Sequence, residues 1–167
     1  MTGRHDSKDF IHQPRRDKMY EEHTQDPYHA REKWKEPTTC PDCGAIYHKG
    51  KWVWGDAAEG AHSHRCPACA RIHDHVPAGF LSLKGDFLAG HKDEIMHLIK
   101  NHEQKEKAQH ALERIMSIRE EDGGLAIEFT GVHLTKGTGE ALHHAYQGDL
   151  TVDYNDKDAQ IRVQWIR

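Results

Sequence analysis

The sequence predicts an α+β protein in three parts: an arm over 1–36, a four-cysteine module over 37–78, and a plait-like domain over 79–167. Three observations carry this reading. All four cysteines fall in two CPxC pairs inside CPDCGAIYHKGKWVWGDAAEGAHSHRCPACARIH, 40–73. Beyond them, apolar residues recur in runs of period two and period 3.6, in the order β-α-β-β-α-β-β. Only 36 % of residues are apolar and mean hydropathy is −0.90. That is thin for one core of this length, so part of the chain is expected to lie outside it.

Residues 1–36 mix charges of both signs with few apolar side chains and include Pro14 and Pro27. They read as a flexible, disordered arm with a short helix around 19–22. Tyr28 and Trp34 are its candidate anchors, on the body or on a partner. Within the module, Tyr47, Trp52 and Trp54 suit a hairpin, followed by a loop at GDAAEGAHSH. GFLSLKG, 79–85, alternates as a strand. A helix over about 87–107 follows from Ile95, Leu98, Ile99 and His102, with Asp93 and Glu94 in its N-terminal half, where the macrodipole favours acids.

LERIMSIREEDGGLAIEFT reads two ways. Leu112, Ile115 and Met116 can extend the helix, but Asp122-Gly123-Gly124 between apolar runs favours a hairpin, with strands near 112–119 and 124–130. Thr130 is then a candidate N-cap for a helix lined by Val132, Leu134, Ala141, Leu142 and Ala145. Gly137 and Gly139 weaken that helix by about 1 kcal/mol each, and Gly148 is a natural stop. Leu150–Val152–Tyr154 and Ile161–Val163–Trp165 flank NDKD as a closing hairpin. The expected architecture is a plait with both helices on one face of an antiparallel sheet.

Net charge is −4, with eight basic and eight acidic residues over 1–39 and four basic against six acidic over 123–167. No Lys/Arg block marks a nonspecific DNA binder, whose affinity comes from cations on phosphates. No apolar run is long enough to span a bilayer and no signal-peptide core is present, so a cytoplasmic location is expected. In a reducing compartment, paired CxxC motifs are metal ligands rather than disulfides.

Cys40-x2-Cys43 and Cys66-x2-Cys69, separated by 22 residues, give two knuckles that each aim two sulfurs at one ion. Pro41 and Pro67 stiffen the turns, and Gly44 permits φ > 0 after the second ligand, where the other knuckle has Ala70. The pattern is a zinc ribbon, with Zn2+ in a structural role, because four thiolates leave no open position for water. His62, His64, His73 and His75 lie beside the second pair and are alternative ligands. The other reading for them, as for most of the 16 histidines, is an exposed polar surface.

Trp52 and Trp54, two apart on a strand, either cover the ribbon and dock it on the next domain or form a stacking platform for a base. Lys49, Lys51, Arg65 and Arg71 are the nearest cations for phosphate, and a solvated ribbon surface would carry the same residues. No nucleophile–base–acid set appears. GTGEAL, 137–142, is not a phosphate-binding P-loop, and Asp153, Asp156 and Asp158 read as turn residues. Neither enzymatic activity nor a small-molecule substrate is expected.

DPYH, EPTTCPDCGAIYHKGKWVW, RCPACARIHDHVPAGFLSLKGDFL, HKDEI, LERIM, HL, AYQGDLTVDY and IRVQWIR resemble a group of small bacterial zinc-ribbon proteins. The resemblance covers most of 26–167. Those proteins are in turn similar to the N-terminal zinc region of the archaeal and eukaryotic export adaptor of the large ribosomal subunit, the third nonsense-mediated-decay-associated protein. The adaptor carries more CxxC pairs than the two found here. The resemblance implies zinc on Cys40, Cys43, Cys66 and Cys69 and a non-enzymatic, ribosome-binding or rRNA-binding role in assembly, quality control or stress dormancy. A zinc-stabilised protein-interaction or regulatory module without an RNA partner is the alternative, motivated by the acidic balance. A redox or metal sensor is the third reading.

Overall fold

The computed structural model describes residues 26–28 and 33–167. The rest of the expected arm, including the helix at 19–22, lies outside the described residues. The parts of the arm that are described are seated on the body. Trp34 meets Tyr47 and Trp52 edge-on at 5.2 and 5.3 Å between ring centres. The Tyr28 hydroxyl donates to Asp74 at 2.9 Å.

Four short strands, β1 (Thr38–Thr39), β2 (Ile46–His48), β3 (Lys51–Val53) and β4 (His62–Ser63), form a small sheet of order β3-β2-β1-β4. Helix α1 (Pro67–Asp74) follows. The larger unit contains β5 (Gly79–Lys84), α2 (Asp86–Gln109), β6 (Ile115–Glu121), β7 (Gly124–Phe129), α3 (Val132–Tyr146), β8 (Asp149–Asn155) and β9 (Gln160–Ile166). The expected element order is present throughout, and the DGG segment forms the hairpin rather than extending α2. Its first strand begins at Ile115, three residues later than expected, because 110–114 are used elsewhere.

One feature of the sheet departs from expectation. Its order is β6-β7-β5-β9-β8, and the β5–β9 pair is parallel. The last strand of the closing hairpin inserts beside β5, and β8 is pushed to the edge. The sheet is therefore mixed. Insertion places Ile161, Val163 and Trp165 in the centre of the core, a suitable place for the most apolar strand of the pair.

Alternation puts Leu81, Leu83, Leu125, Ile127 and Phe129 on the same buried face as those three. The helices cover it with Leu88, Ile95, Ile99, Leu134 and Leu142. The helix α3 face differs from the expected one: Leu134, Thr135, Thr138, Gly139 and Leu142 are buried, whereas Ala145 is exposed. The glycine at 139 has a packing reason. A Cβ there would lie 2.6 Å from Val163 Cγ1, so glycine lets the helix rest directly on β9. Gly79 on β5 makes room for Thr135 in the same way. Both local costs are offset by close helix–sheet contact.

Thr130 does not cap α3. Its hydroxyl donates to the Leu112 carbonyl at 2.6 Å and accepts from the Arg114 N–H at 2.9 Å, tying β7 to the start of β6. The N-cap is Gly131, and the donor at Leu134 is satisfied by the Glu113 carboxylate at 3.0 Å. That carboxylate occupies the space a Gly131 side chain would need.

Burial pushes the Glu113 carboxyl above its usual range, against the Leu134 N–H, which favours the charged form. An acid with a raised folded-state pKa binds its proton more tightly folded than unfolded. Its stabilising contribution is full below the unfolded pKa and is lost as pH rises through the folded one. Glu113→Gln keeps an oxygen acceptor and removes the titration. Its melting temperature relative to the parent is expected to be higher at pH 7.5 than at pH 4, measured as melting curves across that range; a pH-independent difference would contradict the assignment.

Candidate metal centre

The first knuckle is a tight turn leaving β1. Cys40 N–H donates to the Ala45 carbonyl at 2.8 Å and Gly44 N–H to the Cys40 carbonyl at 2.9 Å. Gly44 has the φ of +79° expected of it. The second knuckle opens a helix instead. Cys66 is the N-cap of α1, its sulfur accepts from Cys69 N–H, and Pro67 fills the first helical position. Ala70 N–H bonds back to the Cys66 carbonyl at 2.9 Å, so helical geometry replaces the glycine turn. This is the physical form of the asymmetry between Gly44 and Ala70.

The four sulfurs lie within 4.8 Å of one another. For a tetrahedral ion bonded to sulfur at about 2.3 Å, the sulfur–sulfur edge is about 3.8 Å. Cys43 and Cys66 stand 3.8 Å apart. The donor set and its size therefore fit a tetrahedral metal ion. Backbone N–H groups point at the sulfurs as they do toward thiolates: Cys66 to Cys40 at 3.3 Å, Ala45 to Cys43 at 3.4 Å and Cys69 to Cys66 at 3.4 Å.

A fifth residue closes the site, and it comes from the larger unit. The Arg114 guanidinium, 6 % exposed, donates to Cys69 at 3.1 Å, to Cys43 at 3.2 Å and, more distantly, to Cys66 at 3.7 Å. Its Nε is held by the Ala111 carbonyl at 3.0 Å. Ala111 is buried in the same small core as the cysteines, and Leu112 packs against it. Ala111, Leu112 and Arg114 thus belong to the candidate centre, although they follow α2.

The thiols respond unevenly to these surroundings. Burial raises Cys40, but the N–H groups of Cys66, Cys43 and Asp42 outweigh it and bring the thiol down to about 7. Burial pushes Cys66 and Cys69 up, against neighbouring N–H groups and the Arg114 charge. Burial disfavours the Arg114 charge, but the sulfurs around it more than compensate and hold it protonated. Burial thus disfavours the thiolate forms of Cys66 and Cys69, and a metal cation held by the cluster would favour them.

None of His62, His64, His73 and His75 joins the sulfur cluster; all four are exposed. His64 lies against Trp34, 5.4 Å between ring centres, and His73 pairs with Asp74 at 3.0 Å.

The candidate RNA contacts separate. Lys49 and Lys51 are exposed on the β2–β3 hairpin, whose turn residues Lys49 and Gly50 both have positive φ. The Glu36 carboxylate holds that turn by accepting both N–H groups at 3.0 Å. Arg65 stands at the surface, paired with Asp42. Arg71 is a correction: it is 4 % exposed, donates to Asp26 at 2.8 Å and to the Val76 carbonyl at 3.0 Å, and lies 4.4 Å over the Tyr28 ring. Both of its terminal nitrogens are engaged within the protein.

Trp52 is likewise withdrawn, buried against Tyr47 and Trp34. Trp54 lies beyond the end of β3 and docks the ribbon on the larger unit, its indole N–H donating to the Lys107 carbonyl at 2.7 Å with Arg114 5.4 Å from the ring. That bond satisfies a carbonyl in the last turn of α2. The two tryptophans do not form one platform; they serve the covering and docking roles.

Among the described residues, no helix is long and apolar enough to cross a membrane. Comparison with protein-family models, curated proteins and solved structures found no match to this chain.

Proposed function

We propose that the chain is a non-catalytic factor whose four-cysteine centre holds Zn2+ structurally, and that in the cytoplasm it binds the large ribosomal subunit. The observation that carries the first half is the closed site. Four sulfurs of tetrahedral size, with a guanidinium across one side, leave no position for a reacting water. Thiolates with a +2 ion and no redox demand suit zinc. The second half is supported by the resemblance over 26–167 and by a rigid hairpin tip that offers Lys49 and Lys51 to phosphate. With Arg71 and Trp52 inside the body and a net charge of −4, binding leans on protein neighbours as much as on RNA.

Two measurements test this. Elemental analysis of the purified protein is expected to give one zinc per chain. Gradient sedimentation of the tagged protein, in growing and starved cells, is expected to place it with large subunits, and Lys49→Glu/Lys51→Glu is expected to weaken that comigration. A protein that stays at the top of the gradient in both states ends the ribosomal reading. It would leave the zinc-stabilised protein-interaction module. The mixed-charge outer face of the sheet favours that second reading, with Arg119 paired to Glu128 at 3.1 Å and Arg162 4.5 Å over Phe80.

A further inference from the structure

We infer that Arg114 is a working part of the metal centre: a cationic wall, supplied by the larger unit, that balances the charge of the metal–tetrathiolate group and slows release of the ion. The inference rests on the zinc reading above.

The charge balance sets the requirement. Four thiolates around a divalent ion carry a net charge of −2, enclosed in a core where Cys40 is 1 %, Cys66 0 % and Cys69 7 % exposed. A buried negative group of this kind is costly unless a cation or directed dipoles meet it. Backbone N–H groups serve Cys40, Cys43 and Cys66. Arg114 serves Cys69 and adds a second donor to Cys43. Its planar fork can span two sulfurs at 3.1 and 3.2 Å, which a lysine ammonium on a flexible stem does less well.

Arg114 is also held for the task. The Ala111 carbonyl fixes Nε, Trp54 lies on the guanidinium at 5.4 Å, and the Thr130 hydroxyl accepts the Arg114 backbone N–H. The groups that fix it come from the ribbon, from the segment after α2 and from the end of β7. Formation of the metal group and docking of the ribbon on the plait therefore favour each other through this side chain. Hydrogen bonds from a cation also draw electron density from the thiolates and lower their tendency to react. A centre built this way is shielded rather than poised, which weighs against the sensor reading.

The test uses the full chain, with cobalt as a spectroscopic stand-in for zinc. Arg114→Met keeps length and apolar stem; Arg114→Lys keeps the charge; Arg114→Gln keeps hydrogen-bonding capacity without charge. Removing the guanidinium raises the energy of the sulfur electrons, so the thiolate-to-cobalt charge-transfer band is expected to move to lower energy in the Met and Gln variants. The Lys variant should lie between them and the parent. Zinc transfer to a chelator is expected to be favoured by about 10- to 100-fold in Arg114→Met, the usual range for residues behind metal ligands. Should the Met variant fail to fold, the Lys and Gln variants carry the comparison. Identical bands and zinc release in the parent and the folded charge-neutral variants would overturn the inference while leaving the zinc reading intact. A parent chain that takes up neither zinc nor cobalt would overturn both.

Discussion

Cys66→Ser is expected to strip the metal and unfold the ribbon while leaving the larger unit folded. The substitution is informative because serine is a good N-cap. The Cys66 sulfur both caps α1 and belongs to the cluster. A serine hydroxyl can take over the cap, so the loss isolates the metal contribution from helix capping. An alcohol does not replace a thiolate as a ligand, and the tetrahedron opens. The ribbon has little else to hold it. Its strands are two or three residues long, and its small core is completed by Ala111 and Leu112 from outside. Structural zinc in small modules contributes about 10–16 kcal/mol of apparent binding energy, comparable to or larger than the whole stability of an ordinary domain, about 5–15 kcal/mol. Cys40→Ser should behave alike. Metal content should fall from one per chain toward zero, and hydrogen exchange should show lost protection over 38–74 with retained protection over β5, β7 and β9. A variant with full metal and unchanged melting would falsify the assignment of the site.

The element order of the larger unit is legible because each element carries its own local signal. Leu81 and Leu83 alternate, Ile95 and Ile99 share a helical face, and Asp122-Gly123-Gly124 marks a hairpin. Strand order has no such signal. Nothing local in Ile161–Val163–Trp165 says that it pairs in parallel with β5 rather than closing the edge beside β8 alone. The pairing is a non-local outcome, in which Ile161, Val163 and Trp165 join one core with residues of β5, β7 and both helices. The helix glycines illustrate the same limit. Read by propensity, Gly139 is a weakness; read in the fold, it is where α3 touches Val163.

The metal centre divides similarly. The two CPxC knuckles are visible because ligand spacing is a local constraint, and Gly44 carries the backbone angle that spacing requires. Arg114 is not visible. It lies 45 residues from Cys69 and 71 from Cys43 and sits in an unremarkable run, LERIM. The available hint was an arginine among apolar residues, close in sequence to the expected start of a strand. Arg71 and Trp52 mislead for the opposite reason. An arginine and a tryptophan near cysteines suggest nucleic acid, but a module this small needs its large side chains to bury its own surface.

Trp165→Ala is expected to destabilise the larger unit by about 3–5 kcal/mol, the usual cost of removing a large aromatic from a packed core. Trp165 is fully buried on β9, opposite Leu83 on one side and Leu150 on the other. It also ends a helix. Its indole N–H donates to the Gln147 carbonyl at 2.7 Å, at the C-cap of α3, and a Cβ on Gly148 would lie 3.0 Å from that nitrogen. Gly148 therefore stops the helix and also leaves room for the indole. Trp165→Phe separates the two contributions. It keeps most of the apolar volume and leaves the Gln147 carbonyl without its donor, which should cost about 1–3 kcal/mol. The melting transition of the larger unit in the alanine variant is expected about 12–40 °C below that of the parent. Both variants should keep their metal, because the cysteine cluster belongs to a separate core. Equal melting of the phenylalanine variant and the parent would remove the hydrogen bond from the account. Loss of metal in a folded alanine variant would mean that the two cores are coupled more tightly than the contacts of Arg114, Trp54, Ala111 and Leu112 imply.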